Sequence, residues 1–447
     1  MNRLWWTLLL AGCAGPRPWE AGWPRDPLRP PGAETGTFPV DLATVLRLAG
    51  ANNLDIALVR EKVHEAYGAE RVAEGRFWPV LGPAAVFRRH EGLTQGTDGA
   101  FVDVDKQQTF AGGRAVLQWQ VGEAIFAKLA ASRRFEGALG ALEAAEQSTA
   151  LEAAVAYYDL LRDTLRARVA EQAVGISEKL VGQLETSVSV GRSFKGDLLR
   201  SRVQRTSNRL AAARFGESSR LASIRLAAML RLEPEIDLIP AEDRPLGLEL
   251  VPADLPLDRA LQEAMDQRPE LREARAELEA ARREHTAAVW GPAVPDLMVD
   301  VAPGSLGPTP GKLRDTLDFS ILLGWRIGPG GLFDPGRREV SEARARRAEI
   351  QVARVSQKIS EQVRSAWTQL RSRREQMKLA EEAIRDAEEA LDLNLKRQST
   401  GVGLPLEVIQ AEEALTRARL DHVAGVMDYN QAQLRLFAYR GARIQVR

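Results

Sequence analysis

The sequence predicts a mostly α chain with a small β part, in which long coiled-coil-like helices are interrupted by four short strands. Three observations carry this. Alanine-rich, charge-laced stretches such as residues 129–170 and 341–399 hold few helix breakers, and the second is almost free of proline and glycine. Short apolar runs bounded by glycine or proline read as strands. The order of elements is written twice along the chain.

The N-terminus comes first. Met1-Asn2-Arg3 gives a short positive start, residues 4–10 an apolar run, and Leu10-Ala11-Gly12-Cys13 follows. This reads as a lipoprotein signal peptide over residues 1–12, with Cys13 as the lipidation site whose acyl chains would hold the mature N-terminus in lipid. Ala14 stands where an aspartate would signal inner-membrane retention in enteric bacteria, so outer-membrane sorting is permitted. Residues 13–40 form a tether; seven prolines between positions 14 and 40 forbid a helix there. No later stretch has about 18 consecutive apolar residues, so any membrane crossing must be made by strands.

The first repeat is set at residues 41–256 and the second at 257–441, leaving 442–447 as a tail. Each holds a short helix, a longer helix, a strand, a loop, a second strand and two long helices. Landmarks align at offsets between 206 and 212 residues: Trp78 with Trp290, Trp119 with Trp325, Tyr157 with Trp367 and Gly191 with Gly401. Late in the second repeat, Ala380, Ile384, Ala387, Leu391 and Asn394 alternate steps of four and three. That spacing makes a narrow seam that packs helix on helix, and its alanines allow close approach.

The strands are expected at about residues 84–88, 115–121, 297–301 and 317–327. Alternation in Val116-Leu117-Gln118-Trp119-Gln120-Val121 leaves one side fit to meet lipid. Trp119, Phe319 and Trp325 are the candidate aromatics at membrane interfaces. Four strands cannot close a barrel, which needs at least about eight, so a membrane reading obliges several copies to pool theirs. Two ordinary hairpins on a helical bundle remain open at this point. That alternative would be a periplasmic lipoprotein coiled-coil scaffold that only binds partners.

Composition excludes other classes. The 61 basic and 61 acidic residues cancel, so no global field draws nucleic acid. Four scattered histidines and one cysteine give neither a metal-ligand spacing nor a disulfide. Gly328-Pro329-Gly330-Gly331 lacks the lysine-serine or lysine-threonine pair of a phosphate loop, and no nucleophile elbow or zinc-protease motif is present. The reading is therefore not an enzyme, with no metal and no cofactor beyond covalent lipid on Cys13.

The helix-to-helix turns are the most specific signal. The first reads Val190-Gly191-Arg192-Ser193-Phe194-Lys195-Gly196-Asp197-Leu198-Leu199, and the second Gly401-Val402-Gly403-Leu404-Pro405-Leu406-Glu407-Val408-Ile409. In each, an acid and two aliphatics begin six residues after the glycine, and Thr400 replaces the valine in the second. With the duplication and the lipobox, this resembles the TolC-like outer-membrane efflux family, in its lipoprotein members, over about residues 41–441. Leu332-Phe333-Asp334-Pro335-Gly336-Arg337-Arg338 resembles the family's strand-to-helix linker.

The resemblance implies a homotrimer with a twelve-stranded β-barrel and an α-helical tunnel. It implies a lipid-anchored protein of the cell outer membrane that extends into the periplasm and gives passive export. Its partners would be outer-membrane lipid, a periplasmic adaptor (membrane fusion) protein and, through that adaptor, an inner-membrane pump. Val190, Gly191, Gly401, Val402, Gly403 and Leu404 would form the adaptor contact at the periplasmic tips. Asp197 and Glu407 would line the aperture, although caps for the following helices account for both acids equally well. The sequence departs from the family's gate pattern at Gly403, where an arginine can stand, and at Gln410, where a second acid can stand.

Overall fold

The computed structural model describes residues 26–28, 36–191, 193–400 and 402–444. Its elements run β1 (Thr37–Val40), α1 (Leu42–Asn52), α2 (Leu54–Gly75), β2 (Val80–Gln95), β3 (Phe101–Trp119), α3 (Val121–Ser189) and α4 (Lys195–Met229). They continue with β4 (Asp237–Pro240), α5 (Leu257–Gln267), α6 (Pro269–Trp290), β5 (Asp296–Gly307), β6 (Arg314–Gly324), α7 (Pro335–Ser399) and α8 (Pro405–Tyr439). The repeat is almost residue for residue: α1 and α5 have 11 residues each, α2 and α6 have 22, and α4 and α8 have 35. Only the longest pair differs, α3 having 69 and α7 having 65.

Local chemistry sets the helix starts. The Asp41 carboxylate accepts from the Thr44 N–H at 2.8 Å, which caps α1 and holds its own pKa below the usual carboxylate range. Asn53 caps α2 through the N–H groups of Asp55 and Ile56. In the second repeat α6 instead begins with Pro269 as its first residue, where the missing N–H is one the helix start leaves unpaired in any case. Asp334 begins α7 by accepting from Arg337 N–H at 3.0 Å and Gly330 N–H at 2.8 Å; these backbone donors lower its pKa.

The chain divides into two compact units. One comprises residues 62–140 and 272–354; the other comprises the remainder of the described chain. The first carries the four-stranded antiparallel sheet, in the order β2-β3-β5-β6. The strands have 16, 19, 12 and 11 residues; the first three are longer than expected, and the fourth has the expected length but starts three residues earlier. Runs such as Arg88-Arg89-His90-Glu91 and Asp103-Val104-Asp105 read as loop because the pairing that makes them strand lies in the partner, Arg89↔Gln107 and Glu91↔Asp105. Two ends shorten instead: Val121 is the first residue of α3, and β6 stops at Gly324, ahead of Trp325 and Ile327.

The second unit is a helical bundle. Its main core joins Val40, Val45, Tyr157, Leu160, Leu226, Leu230, Met427 and Leu434 from α1, α3, α4, α8 and β1. The 13–40 tether is corrected at its end: β1 pairs in parallel with β4, and Val40 is fully buried. Pro39 misled the sequence reading; a strand in a two-stranded ladder tolerates a missing N–H. The segment between the repeats is pinned to α8. Asn430 accepts from Leu248 N–H at 2.7 Å and donates to Leu246 O at 2.8 Å, while Gln433 accepts from Val251 N–H at 2.8 Å.

Candidate functional site

Each unit presents one candidate surface. In the sheet, the register runs without a slip from Val80↔Val116 to Gln95↔Phe101, and through Trp119↔Leu297 and Val301↔Phe319. Because side chains alternate along a strand, this register sorts the residues into two faces. One face gathers Leu81, Pro83, Ala85 and Phe87; Ala111, Ala115, Leu117 and Trp119; Leu297, Val299 and Val301; and Leu317, Phe319, Ile321 and Leu323. Leu81, Phe87, Leu317, Phe319, Ile321 and Leu323 are 58–72% exposed, so this apolar face covers no core within the chain.

The opposite face is mixed and hollowed, Arg88, Arg114, Gln118, Asp300 and Asp318 sharing it with Val80, Val86, Phe110 and Leu322. A hollow of about 340 Å³ is lined by Val86, Arg88, Phe110, Arg114, Asp300 and Asp318, among others. The Arg114 guanidinium meets the Asp300 carboxylate side-on, Nε to Oδ1 at 3.1 Å and Nη2 to Oδ2 at 2.5 Å, which fixes β3 against β5 on this face. The outer edges of β2 and β6 have no partner strand among the described residues.

The three aromatics singled out in the sequence occupy different places. Trp119 ends β3, half-buried, with its ring edge-on to Phe77 at 5.8 Å. Trp325 lies just past β6, 55% exposed, its indole N–H donating to Ala293 O at 3.1 Å. Phe319 sits within the apolar face, level with Val301 and Ala115. Trp78 and Trp290, read only as repeat landmarks, are exposed beside the strand starts.

The second surface is the pair of turns. The end of α3, the start of α4, the end of α7 and the start of α8 share a small core of Leu180, Leu184, Leu198, Leu391, Val408 and Ile409. Leu391 and Ala387 of the alternating seam belong to it. The two turns thus lie side by side and enclose a cleft of about 720 Å³, lined by Ser187, Phe194, Asp197, Gln398, Gly403 and Leu404 among others. Val190, Phe194, Val402 and Leu404 are exposed apolar side chains around it. Cys13 and Gly401 lie outside the described residues.

Glycine is required at two of these positions. Gly191 turns the chain at φ 74°, a left-handed conformation that ends α3. Gly403 is tucked against the last turn of α7, its N–H donating to Arg397 O at 2.9 Å; a Cβ there would lie 2.8 Å from Gln398 N. A side chain at 403 would force the end of α7 to shift. Glu407 accepts from Leu404 N–H at 3.2 Å and approaches Arg397 at 3.6 Å, so it caps α8 and ties it to α7. Asp197 stands in the first turn of α4 and pairs with Arg200 at 3.4 Å.

Sequence reasoning missed a buried polar cluster in the same bundle. Asn208 Nδ2 lies 3.1 Å from Glu412 Oε1, 3.2 Å from Ala173 O and 3.3 Å from Ser177 Oγ. Glu412 is 1% exposed, its second oxygen has no partner, and burial pushes its pKa up to about 7. A Gln-Ala-Glu-Glu run on a charge-rich helix gives no sign of which acid turns inward.

Comparison with known proteins agrees with this geometry. Residues 260–442 match the outer membrane efflux protein family. A comparison with curated protein sequences finds no match. Among solved structures, the chain is similar to the outer-membrane channel OprN at 17% identity and a TM-score of 0.78, covering 90% of each chain. It is similar to the outer membrane protein VceC of Vibrio cholerae at 19% identity and a TM-score of 0.76, covering 90% of this chain and 97% of that one. It is similar to CusC, whose structures describe transmembrane channel formation, at 18% identity and a TM-score of 0.77, covering 94% and 98%. These likenesses show that the chain has the fold of this group of channels.

Proposed function

We propose that this chain, whose second repeat carries the outer membrane efflux protein domain and whose fold is that of the outer-membrane channels, is itself an outer-membrane export channel. The observation that carries the proposal is the sheet. It has one apolar face, an opposite hollowed face that carries the Arg114–Asp300 pair, and two edges unpaired among the described residues, and water would not leave so much apolar surface exposed on a finished fold. In lipid the apolar face is solvated, but the open edges are forbidden. Further copies must therefore complete the sheet. Three would give twelve strands, with the concave face turned to an aqueous pore.

The channel is passive, because the chain holds no nucleotide motif. Energy would come from an inner-membrane pump joined through a periplasmic adaptor. The exposed apolar residues Val190, Val402 and Leu404, around the cleft between the turns, are the adaptor contact in this reading. Asp197 lines that cleft and Glu407 braces the second turn, so the aperture role falls to Asp197 and a capping role to Glu407. Lipid on Cys13 would add a second membrane attachment.

The test is purification of the full chain in detergent, sizing, and reconstitution into planar bilayers. Trimers that conduct support the channel. A water-soluble monomer that never inserts would favour the scaffold and sink the proposal.

A further inference from the structure

Charge is sorted across the sheet in a way the neutral net charge conceals. On the concave face, from the row of Val86, Phe110, Leu306 and Arg314 towards the β2–β3 hairpin, the charged side chains are Arg88, Lys106 and Arg314, with His90 beside them. The remaining positions there are Gln108, Gly92, Val104, Thr94 and Val102, so no carboxylate shares the face in those rows. The acids of the same rows, Glu91, Asp103, Asp105 and Asp315, point to the other side. There Arg89 pairs with Glu91 at 3.1 Å and Asp105 at 3.2 Å, and Ser305 donates to Asp315 at 3.2 Å. Asp296, Asp300 and Asp318, the acids of the concave face, lie in rows nearer the helices, where Arg326 pairs with Asp296 and Arg114 neutralises Asp300.

We propose that Arg88, Lys106 and Arg314 form a basic ring inside the hairpin end of the pore and make the channel favour anionic solutes. The inference rests on the channel reading above and adds a cargo class to it. In a trimer the ring holds nine cations; Arg88 and Lys106 stand diagonally across the β2–β3 pair, about 7–8 Å apart by strand geometry and so within the Debye length of about 10 Å at 0.1 M salt, and Arg314 extends the positive potential to β6. An anion gains from the ring, whereas a cation of equal size is held back.

The experiment reconstitutes the full chain in planar bilayers under a potassium chloride gradient and reads the reversal potential. It compares the wild type with R88E/K106E/R314E and with the milder R88Q/K106Q/R314Q, each first shown to give the wild-type oligomer in detergent. The expected result is a chloride-over-potassium preference that grows as salt is lowered. It should fall by about threefold or more in the glutamine variant and invert in the glutamate variant. A conducting wild type whose reversal potential is unchanged in both variants overturns the basic ring while leaving the channel standing. A chain that inserts no conductance overturns the channel reading and the ring with it.

Discussion

Replacing Glu412 with glutamine should stabilise the protein in a pH-dependent manner. The carboxyl titrates near 4.5 in the unfolded chain and at about 7 when folded, so the native state holds this proton more tightly than the unfolded one. The group therefore costs nothing below about pH 4.5, and the penalty for ionising it in place grows as pH rises through about 7. Carried through, the difference is under about 1 kcal/mol at pH 5 and about 3 kcal/mol at pH 8. Glutamine retains an acceptor for Asn208 and carries no charge. Its new N–H₂ meets the same unpartnered space as the carboxylate's free oxygen, a constant offset at all pH values. Urea unfolding of both proteins in detergent, followed by far-UV circular dichroism, reads the gap. Its widening between the two pH values is the expected result; a gap that stays constant would refute the reasoning.

The remaining predictions address other parts of the molecule. Gly403→Ala places a methyl group 2.8 Å from Gln398 N and should cost about 1–3 kcal/mol, read as a lower midpoint in the same unfolding assay. Ile321→Arg puts a charge on the 60%-exposed apolar face and should cost about 2–4 kcal/mol of insertion if that face meets lipid, seen as reduced assembly in detergent or vesicles. Normal assembly of this variant would place the apolar face away from lipid. Cys13→Ser should abolish incorporation of labelled palmitate and leave pore conductance unchanged, because the thiol is the acylated group in our reading and the strands alone make the pore.

The helices were legible because their signal is local. A run such as residues 341–399 contains its own period and its own lack of breakers, and the duplication repeated that signal. The strands were only half legible. Residues 88–91 and 103–106 are charged on both faces, since the sheet emerges from its apolar band there, and only cross-strand pairing identifies them as strand. The turns were recognisable by their glycines. What Gly403 does was not, because its constraint is a close approach to Arg397 and Gln398 rather than a local angle. Asn208 and Glu412 were invisible for the same reason: they lie 204 residues apart and meet only in the folded bundle.

The duplication also explains how the sheet can be completed by identical copies. Each repeat adds two antiparallel strands, so β2 and β6, at the two edges, run in opposite directions. A β6 edge can therefore join the β2 edge of the next copy in the same antiparallel pattern used within the chain, and a ring of copies has no mismatched seam. A chain with three strands would present parallel edges and could not close this way. The cost of error in such a ring is high. Because the side-chain period is two, slipping one strand by a single residue would carry Arg88 or Arg114 into the apolar face and Phe87 or Leu117 into the pore. A misplaced Arg114, inside the apolar band, costs up to about 2–4 kcal/mol, and in a closed ring of copies that cost recurs at every one. The Arg114–Asp300 pair couples β3 to β5, one strand from each repeat, and so holds the register at the seam where the two repeats of one chain meet.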